Sequence, residues 1–327
     1  MTRGSAPQSK AIDERRFHGW LAKALPAGRG GLLPLGDDAA AVRLPPGKVA
    51  VLSIDSLVEG THFRSGSPPR RIGAAAAAVS LSDLAAKGAE PAALLLAIVL
   101  PVGTPQAWAE AVTRGAQQTA ERFGMTLVGG DTKPGPARTV VSSVVGWARE
   151  GSLAPRTGAR PGDLVATTGS VGRGGVAAAR MNRTRRPDRG ALLAMLDVRP
   201  RVAEGAALVR WAHAMLDTSD GLAEASRLVS EASHVRVVVE EDRLPLARAL
   251  RDPNLSPAER RRRAFYGGDY ELLLTLPERA FPAAERAVRR AGGRLTAIGR
   301  VARGKGAWLE GGGRTRPMPP AGWRPFG

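Results

Sequence analysis

Aspartates set the chemical question in this chain. Asp37 and Asp38 sit side by side in "LGDDAAAV" (35–42), between a glycine and a run of alanines. Asp55 closes the apolar run "KVAVLSID", Asp83 lies in "SLSDLAAKGA", and Asp131 follows two glycines in "LVGGDT". Asp217 and Asp220 share "LDTSDGL". A carboxylate among apolar neighbours leaves water at a high cost unless a positive partner meets it. Taken singly, each motif has an ordinary reading. Ser219 and Asp220 are residue types that cap a helix N-terminus, "GGDT" suits a turn, and "GDDAA" suits a loop. Taken together, they place several carboxylates at strand ends, where layered α/β folds bind ligands. Hard Mg²⁺ takes oxygen ligands, usually one or two carboxylates with phosphate oxygens and waters. The chain has no cysteine and four histidines, so this donor set points to phosphoryl transfer rather than redox chemistry.

The elements that must position these groups read as two α/β halves. "KVAVLSID" (48–55) is β-branched and apolar, hence a strand. Residues 70–90 are alanine-rich and helical, and 91–100 return as a strand. Residues 104–124 form a helix with Thr104 as N-cap, Pro105 in the first turn and Gly124 at the C-terminal end. Strands follow at 125–132 and 138–148. The Gly-, Pro- and Arg-rich stretch "REGSLAPRTGARPGD" (149–163) marks a domain boundary. Beyond it, strands at 164–169, 235–241, 270–276 and 295–301 alternate with helices near 173–182, 199–212, 220–233 and 278–293. The fold class is therefore α/β (α+β) in two layered domains. The expected division is a leader with one helix at 1–30, an N-terminal domain at 31–148 and a C-terminal domain at 149–327.

Composition narrows the function further. The 327 residues suffice for two domains with ample cores. No run approaches the roughly 20 apolar residues of a membrane helix, and the N-terminus lacks the apolar segment of a signal peptide. The chain reads as cytoplasmic. Its formal charge is +18, from 48 Lys and Arg against 30 Asp and Glu. Such a balance suits nucleic acid or acidic substrates. The two arginine runs, 179–190 and 259–265, carry no interleaved aromatics and no nucleic-acid motif, so a solvated basic surface is the plainer reading. Two phosphate-loop resemblances also arise. "GRVARGKG" (299–306) ends in Gly306, without the Mg²⁺-binding hydroxyl of a P-loop. "TGSVGRGG" (168–175) is a glycine-rich turn into a helix, read either as a plain tight turn or as a place for a phosphate at the helix N-terminus.

The motifs "LGDDAAAV", "SIDSLVEGTHF", "VSLSDLAAKGAEP", "LVGGDT", "RTGARPGD", "LDTSDGL", "YGGDYELLLT" and "GWRPF" run in this order from residue 35 to the C-terminus. In that order the sequence resembles the thiamine-monophosphate kinase family, within the aminoimidazole ribonucleotide synthetase-like group of ATP-binding proteins. The resemblance implies direct transfer of the ATP γ-phosphate to thiamine monophosphate across several Mg²⁺ ions. It implies metal ligation by Asp38, Ser53, Asp55, Asp83, Asp131, Asp217 and Asp220, with Asp55, Asp131 and Asp220 at the catalytic centre. Gly130, Asp131, Arg156 and Ser219 would contact the nucleotide, and His62, Gly268 and Trp323 the substrate. It also implies a homodimer paired through the N-terminal sheets, with no nucleic-acid or membrane partner. Two departures stand out: Gly268 occupies the place of a family glutamate, and Ile54 replaces a frequent threonine. The absence of cysteine excludes the thiol chemistry of selenophosphate synthetases and hydrogenase-maturation relatives. Two other readings follow from the same residues. One is a diverged kinase for another phosphate ester, suggested by Gly268; the other is an anion- or RNA-binding protein, suggested by the charge.

Overall fold

The computed structural model describes residues 44–182 and 189–323, together with Trp20 and Ala24. Asp37 and Asp38, and nearly all of the expected leader helix, lie outside the described residues. Two compact units share the chain: one holds 52–80 and 91–146, the other 47–51, 81–90 and the residues from 147 onward. Among the described residues no helix is long and apolar enough to cross a membrane.

The first sheet and its helices comprise β1 (Lys48–Val58), α1 (Pro69–Lys87), β2 (Glu90–Leu100), α2 (Gln106–Arg122), β3 (Thr126–Pro134) and β4 (Thr139–Arg149), of which the start of β1, the last turns of α1 and the end of β4 count with the second unit. Its four strands lie in the order β1-β4-β2-β3, and β2 and β3 run parallel. The alanine run in α1 leaves almost no side chain between the helices. A Cβ on Gly73 would stand 1.8 Å from the Val112 carbonyl oxygen, and one on Gly115 1.9 Å from that of Arg70. The two helices therefore touch backbone to backbone, and Ala76, Ala77, Val112 and Ala116 are fully buried. Period-2 alternation in β4 buries Val140, Ser142 and Val144 on one face. Ser142 is satisfied there: its Oγ donates to the Ala76 carbonyl at 2.5 Å and lies 2.6 Å from Ser80 Oγ. Thr104 does not cap α2. Its Oγ1 donates to the Pro101 carbonyl at 2.7 Å, and Pro105 holds the N-cap place without a side-chain bond.

The second unit carries β5 (Asp163–Thr168), α3 (Arg173–Asn182), α4 (Arg189–Met195), α5 (Val202–Leu208), β6 (Ala214–Asp217) and α6 (Leu222–Ser233). There follow β7 (Arg236–Glu240), α7 (Pro257–Ala264), β8 (Leu272–Pro277), α8 (Phe281–Arg290), β9 (Leu295–Ala302), β10 (Gly306–Gly311) and β11 (Arg314–Pro317). Its seven strands lie in the order β11-β10-β7-β9-β5-β8-β6. β8, "LLLTLP", is buried on both faces. Leu273 joins one core with Val165, Leu216 and Ile298, while Leu272 and Leu274 join another with Met215, Ala284 and Val288. At roughly 25 cal/mol per Å² of apolar surface, such a doubly buried strand anchors its neighbours β5 and β6 firmly. β8 pairs antiparallel with β6, and Leu272 stands opposite Asp217. The helix expected over 199–212 is shorter than its pattern, and a further helix, α4, stands between it and the helix near 173–182. Gly306 opens strand β10 rather than a helix, which removes the P-loop resemblance at 299–306.

Candidate active site

In the second unit the site grows from the end of β6. Asp217 is its last residue, and Ser82 Oγ donates to Asp217 Oδ2 at 2.6 Å from α1. Ser219 Oγ donates to Asp217 Oδ1 at 3.2 Å. Burial pushes the Asp217 carboxyl up to about 6, the negative charge of Asp83 adds to the shift, and the two hydroxyls oppose it. A buried carboxylate beside a second one, answered by hydroxyls, is a donor set that gains from a divalent cation. Among the described residues no three Asp, Glu or His side chains are grouped as a complete metal cage.

Other sequence-predicted residues gather at the same place. Asp220 is pushed above the ordinary carboxylate range by burial and by Glu224, while the Arg156 charge pulls the other way. The Trp323 backbone N–H donates to the Asp220 carbonyl at 3.1 Å, and the Gly268 N–H donates to that of Ser219 at 2.7 Å. Gly268 has φ +76, and a Cβ there would lie 3.4 Å from Gly174 Cα. Its residue type is thus favoured by a left-handed backbone, while the space beside it would admit a methyl group at ordinary contact distance. Ser219 and Asp220 are not helix caps. Gly221 holds the N-cap place of α6 without a side-chain bond, and the Ser219 hydroxyl is given to Asp217 instead.

Several groups of this unit were not singled out by sequence. Lys87 donates to the carbonyls of Ala154 at 3.1 Å and Met215 at 2.9 Å. Burial and then the Arg156 charge lower its ammonium to about 8, against the pull of Asp217 and Asp83. Asp269, 2 % exposed, accepts the N–H groups of Gly172 at 2.6 Å and Gly174 at 2.8 Å. These are the amides that "TGSVGRGG" was expected to offer a phosphate. The protein's own carboxylate fills that cradle, so the phosphate reading of 168–175 is withdrawn. The motif "GGDYEL" was the only signal for Asp269, and it gave no hint of the partner.

The first unit holds the remaining predicted residues. Ser53 and Asp55 lie on β1, with His62 just beyond it; Gly130 and Asp131 lie on β3. The Val58 N–H donates to His62 Nδ1 at 3.0 Å. That bond leaves the proton on Nε2, and burial lowers the imidazole below its usual range. A Cβ on Gly130 would stand 1.9 Å from the Leu96 carbonyl oxygen, so that glycine is required by strand pairing. Asp131 is half exposed, with Lys133 Nζ 3.1 Å from Oδ1 and the Thr132 N–H donating at 2.8 Å. β1 and β3 are the two outer strands of the sheet, so about 14 Å of sheet separates them at ~4.8 Å per strand. The sheet therefore does not bring Asp55 and Asp131 together.

The fold and the site define a class. The N-terminal domain model of the AIR synthase related proteins matches residues 36–148, and the C-terminal domain model of the same proteins matches 160–309. Within that class, the chain is 38 % identical over 286 residues to the thiamine-monophosphate kinase of Halobacterium salinarum, covering 86 % of this chain and 93 % of the relative. The crystal structure of thiamine-monophosphate kinase from Stenotrophomonas maltophilia K279a superposes with a TM-score of 0.80 at 32 % identity, over 92 % of this chain and 96 % of that one. A structure of AaThiL complexed with AMPPCP and TMP superposes with a TM-score of 0.73 at 28 % identity, over 89 % and 91 %. The chain belongs to the thiamine-monophosphate kinase family.

Proposed function

We propose that this chain phosphorylates thiamine monophosphate to thiamine diphosphate with ATP. The observation that carries the reading is the β6 loop, where Asp217, Ser219, Asp220, Asp83, Arg156 and the Trp323 backbone converge in a member of this family. An oxygen of the acceptor phosphate forms the new bond to the γ-phosphorus. The bond from that phosphorus to the β-bridging oxygen breaks, and ADP leaves with the electron pair. The acceptor is already an anion, so the protein's task is to align two polyanions and offset their repulsion.

The residues proposed to hold Mg²⁺ are Asp38, Ser53, Asp55, Asp83, Asp131, Asp217 and Asp220. When bound, Mg²⁺ supplies charge neutralisation between the two phosphate chains. Arg156 offers a fork for phosphate oxygens, and Ser219 and the Gly130–Asp131 backbone face the nucleotide. His62, neutral near pH 7, offers its Nε2–H to the substrate, and Trp323 offers a ring to the thiamine. Gly268 lines the substrate side without a side chain of its own.

A homodimer accompanies this reading. Leu52 and Ile54, 69 % and 68 % exposed, line the outward face of β1. Half-buried Leu95, Ala97, Val99, Val141 and Val145 share the outer side of the sheet. A second copy packed there buries a contiguous apolar face. Charge does not favour the RNA reading. In α7, Arg261 pairs with Glu241 and Arg263 with Glu259, and Arg260 donates to the Leu250 carbonyl at 2.9 Å. Those three arginines are spent on the fold, while Arg262 stands 73 % exposed.

The test is purified chain with MgATP and thiamine monophosphate, scored for ADP and thiamine diphosphate in equal amounts. Absence of both products over a panel that includes thiamine monophosphate overturns the reading. Turnover with a different phosphate ester alone would establish the diverged-kinase reading suggested by Gly268.

A further inference from the structure

Glu271 is 1 % exposed yet carries a carboxylate. Arg201 grips it with a two-pronged fork, Nε to Oε2 at 2.7 Å and Nη2 to Oε1 at 2.6 Å. Thr168 Oγ1 donates to Oε2 at 2.8 Å, and the Ser170 N–H donates to Oε1 at 3.2 Å. The main chain of Glu271 reaches the other way. Its N–H donates to Thr218 Oγ1 at 3.1 Å, and its carbonyl accepts the Thr218 N–H at 2.8 Å. Thr218 lies between Asp217 and Ser219, the residues at the centre of the candidate site.

The neighbouring residues lock this arrangement. Asp269 holds Gly172 and Gly174, and Tyr270, between the two carboxylates, has φ 54. An L-residue persists in that region only where its surroundings over-determine it. Thermodynamic stability alone is a poor reason for such a pair, because apolar replacement of a buried ion pair is often neutral or stabilising. The fork fixes a direction rather than supplying net energy. Neither Glu271 nor Arg201 is among the groups proposed to meet nucleotide, metal or substrate.

We propose that Glu271, oriented by Arg201, is a positioning residue for phosphoryl transfer: it sets the backbone of Thr218 and thereby the aim of Asp217 and Ser219. This rests on the function proposed above.

The test uses the full chain with Glu271→Gln and with Arg201→Lys, which keeps the charge and removes the fork. In each variant kcat is expected to fall about 100-fold, the loss that a misplacement of order 1 Å brings. The KM for thiamine monophosphate should stay within roughly threefold, because uniform substrate binding is untouched. MgAMPPCP, measured by calorimetry, should bind more weakly. The paired change Arg201→Met with Glu271→Leu separates positioning from stability. Because Arg201 Nη1 also donates to Glu204 Oε1 at 3.2 Å, the pair is combined with Glu204→Gln, and the melting temperature should then recover toward that of the parent while kcat stays low. Recovery of kcat in step with melting temperature overturns the proposal, as does kcat within about threefold of the parent in either folded single variant. If Glu271→Gln fails to fold, Arg201→Lys decides by the same criterion. If the parent itself makes no thiamine diphosphate, the proposed function fails separately, and unchanged MgAMPPCP affinity in the variants then overturns the positioning role.

Discussion

Asp269→Asn opposes two effects of similar size on one side chain. Two backbone N–H donors at 2.6 and 2.8 Å favour the carboxylate, and burial disfavours it. Burial wins: the folded-state carboxyl is pushed from 3.8 up to about 6. The folded protein therefore binds more protons than the unfolded chain between those values, and stability falls as pH rises through them. At 1.36 kcal/mol per unit, the ionised group holds back about 3 kcal/mol above pH 7, and about 1 kcal/mol of that is already present near pH 4.5. Asparagine does not titrate. It keeps one acceptor for one N–H and sets its amide against the other, at a pH-independent cost of about 1–3 kcal/mol. Urea melts of parent and variant near pH 4.5 and pH 8 give the assay. The variant's disadvantage should shrink by about 2 kcal/mol on going to the higher pH. A difference that stays flat, or that grows with pH, refutes the dominance of burial over the two amide bonds.

Three further outcomes follow from the same geometry. Asp217→Asn should abolish turnover yet raise the melting temperature of the metal-free protein, because burial and Asp83 already push that carboxyl up to about 6 and the serine hydroxyls can serve an amide; calorimetry in chelator checks it. Asp131→Ala removes a half-exposed side chain and should lower kcat at least ~100-fold, with a melting temperature within a few degrees of the parent's. Gly268→Ala must hold φ +76 and should lose about 1–2 kcal/mol in denaturant titration.

Much of the fold was legible because it is local. The alternation in β4 and the alanine run of α1 announce themselves within a dozen residues. The order of the aspartates likewise carried the family, which the relatives and solved structures share. What stayed hidden depends on partners distant in sequence. Asp269 fills the amides of Gly172 from 97 residues away, and Arg201 meets Glu271 across 70. From sequence, "TGSVGRGG" and an empty phosphate cradle look alike, because nothing nearby shows that an internal anion is already there. Ser219 and Asp220 misled in the opposite sense. Their residue types suit a cap, yet Gly221 starts the helix, and the side chains are kept for the site. Lys87 passed unremarked within the helix read over 70–90; only its carbonyl partners, 67 and 128 residues on, show it as a buried cation beside the aspartates.

The outward stripe of Leu52 and Ile54 sits on a molecule of formal charge +18. Two such bodies repel as they approach, and the repulsion is felt over about 8 Å at physiological ionic strength. Apolar contact itself is not screened by ions. Self-association through that stripe should consequently tighten as sodium chloride is added, whereas adhesion to a polyphosphate would loosen. Ultracentrifugation at low and high salt would thus report opposite signs for the two kinds of encounter, with added salt favouring pairing over adventitious capture by RNA.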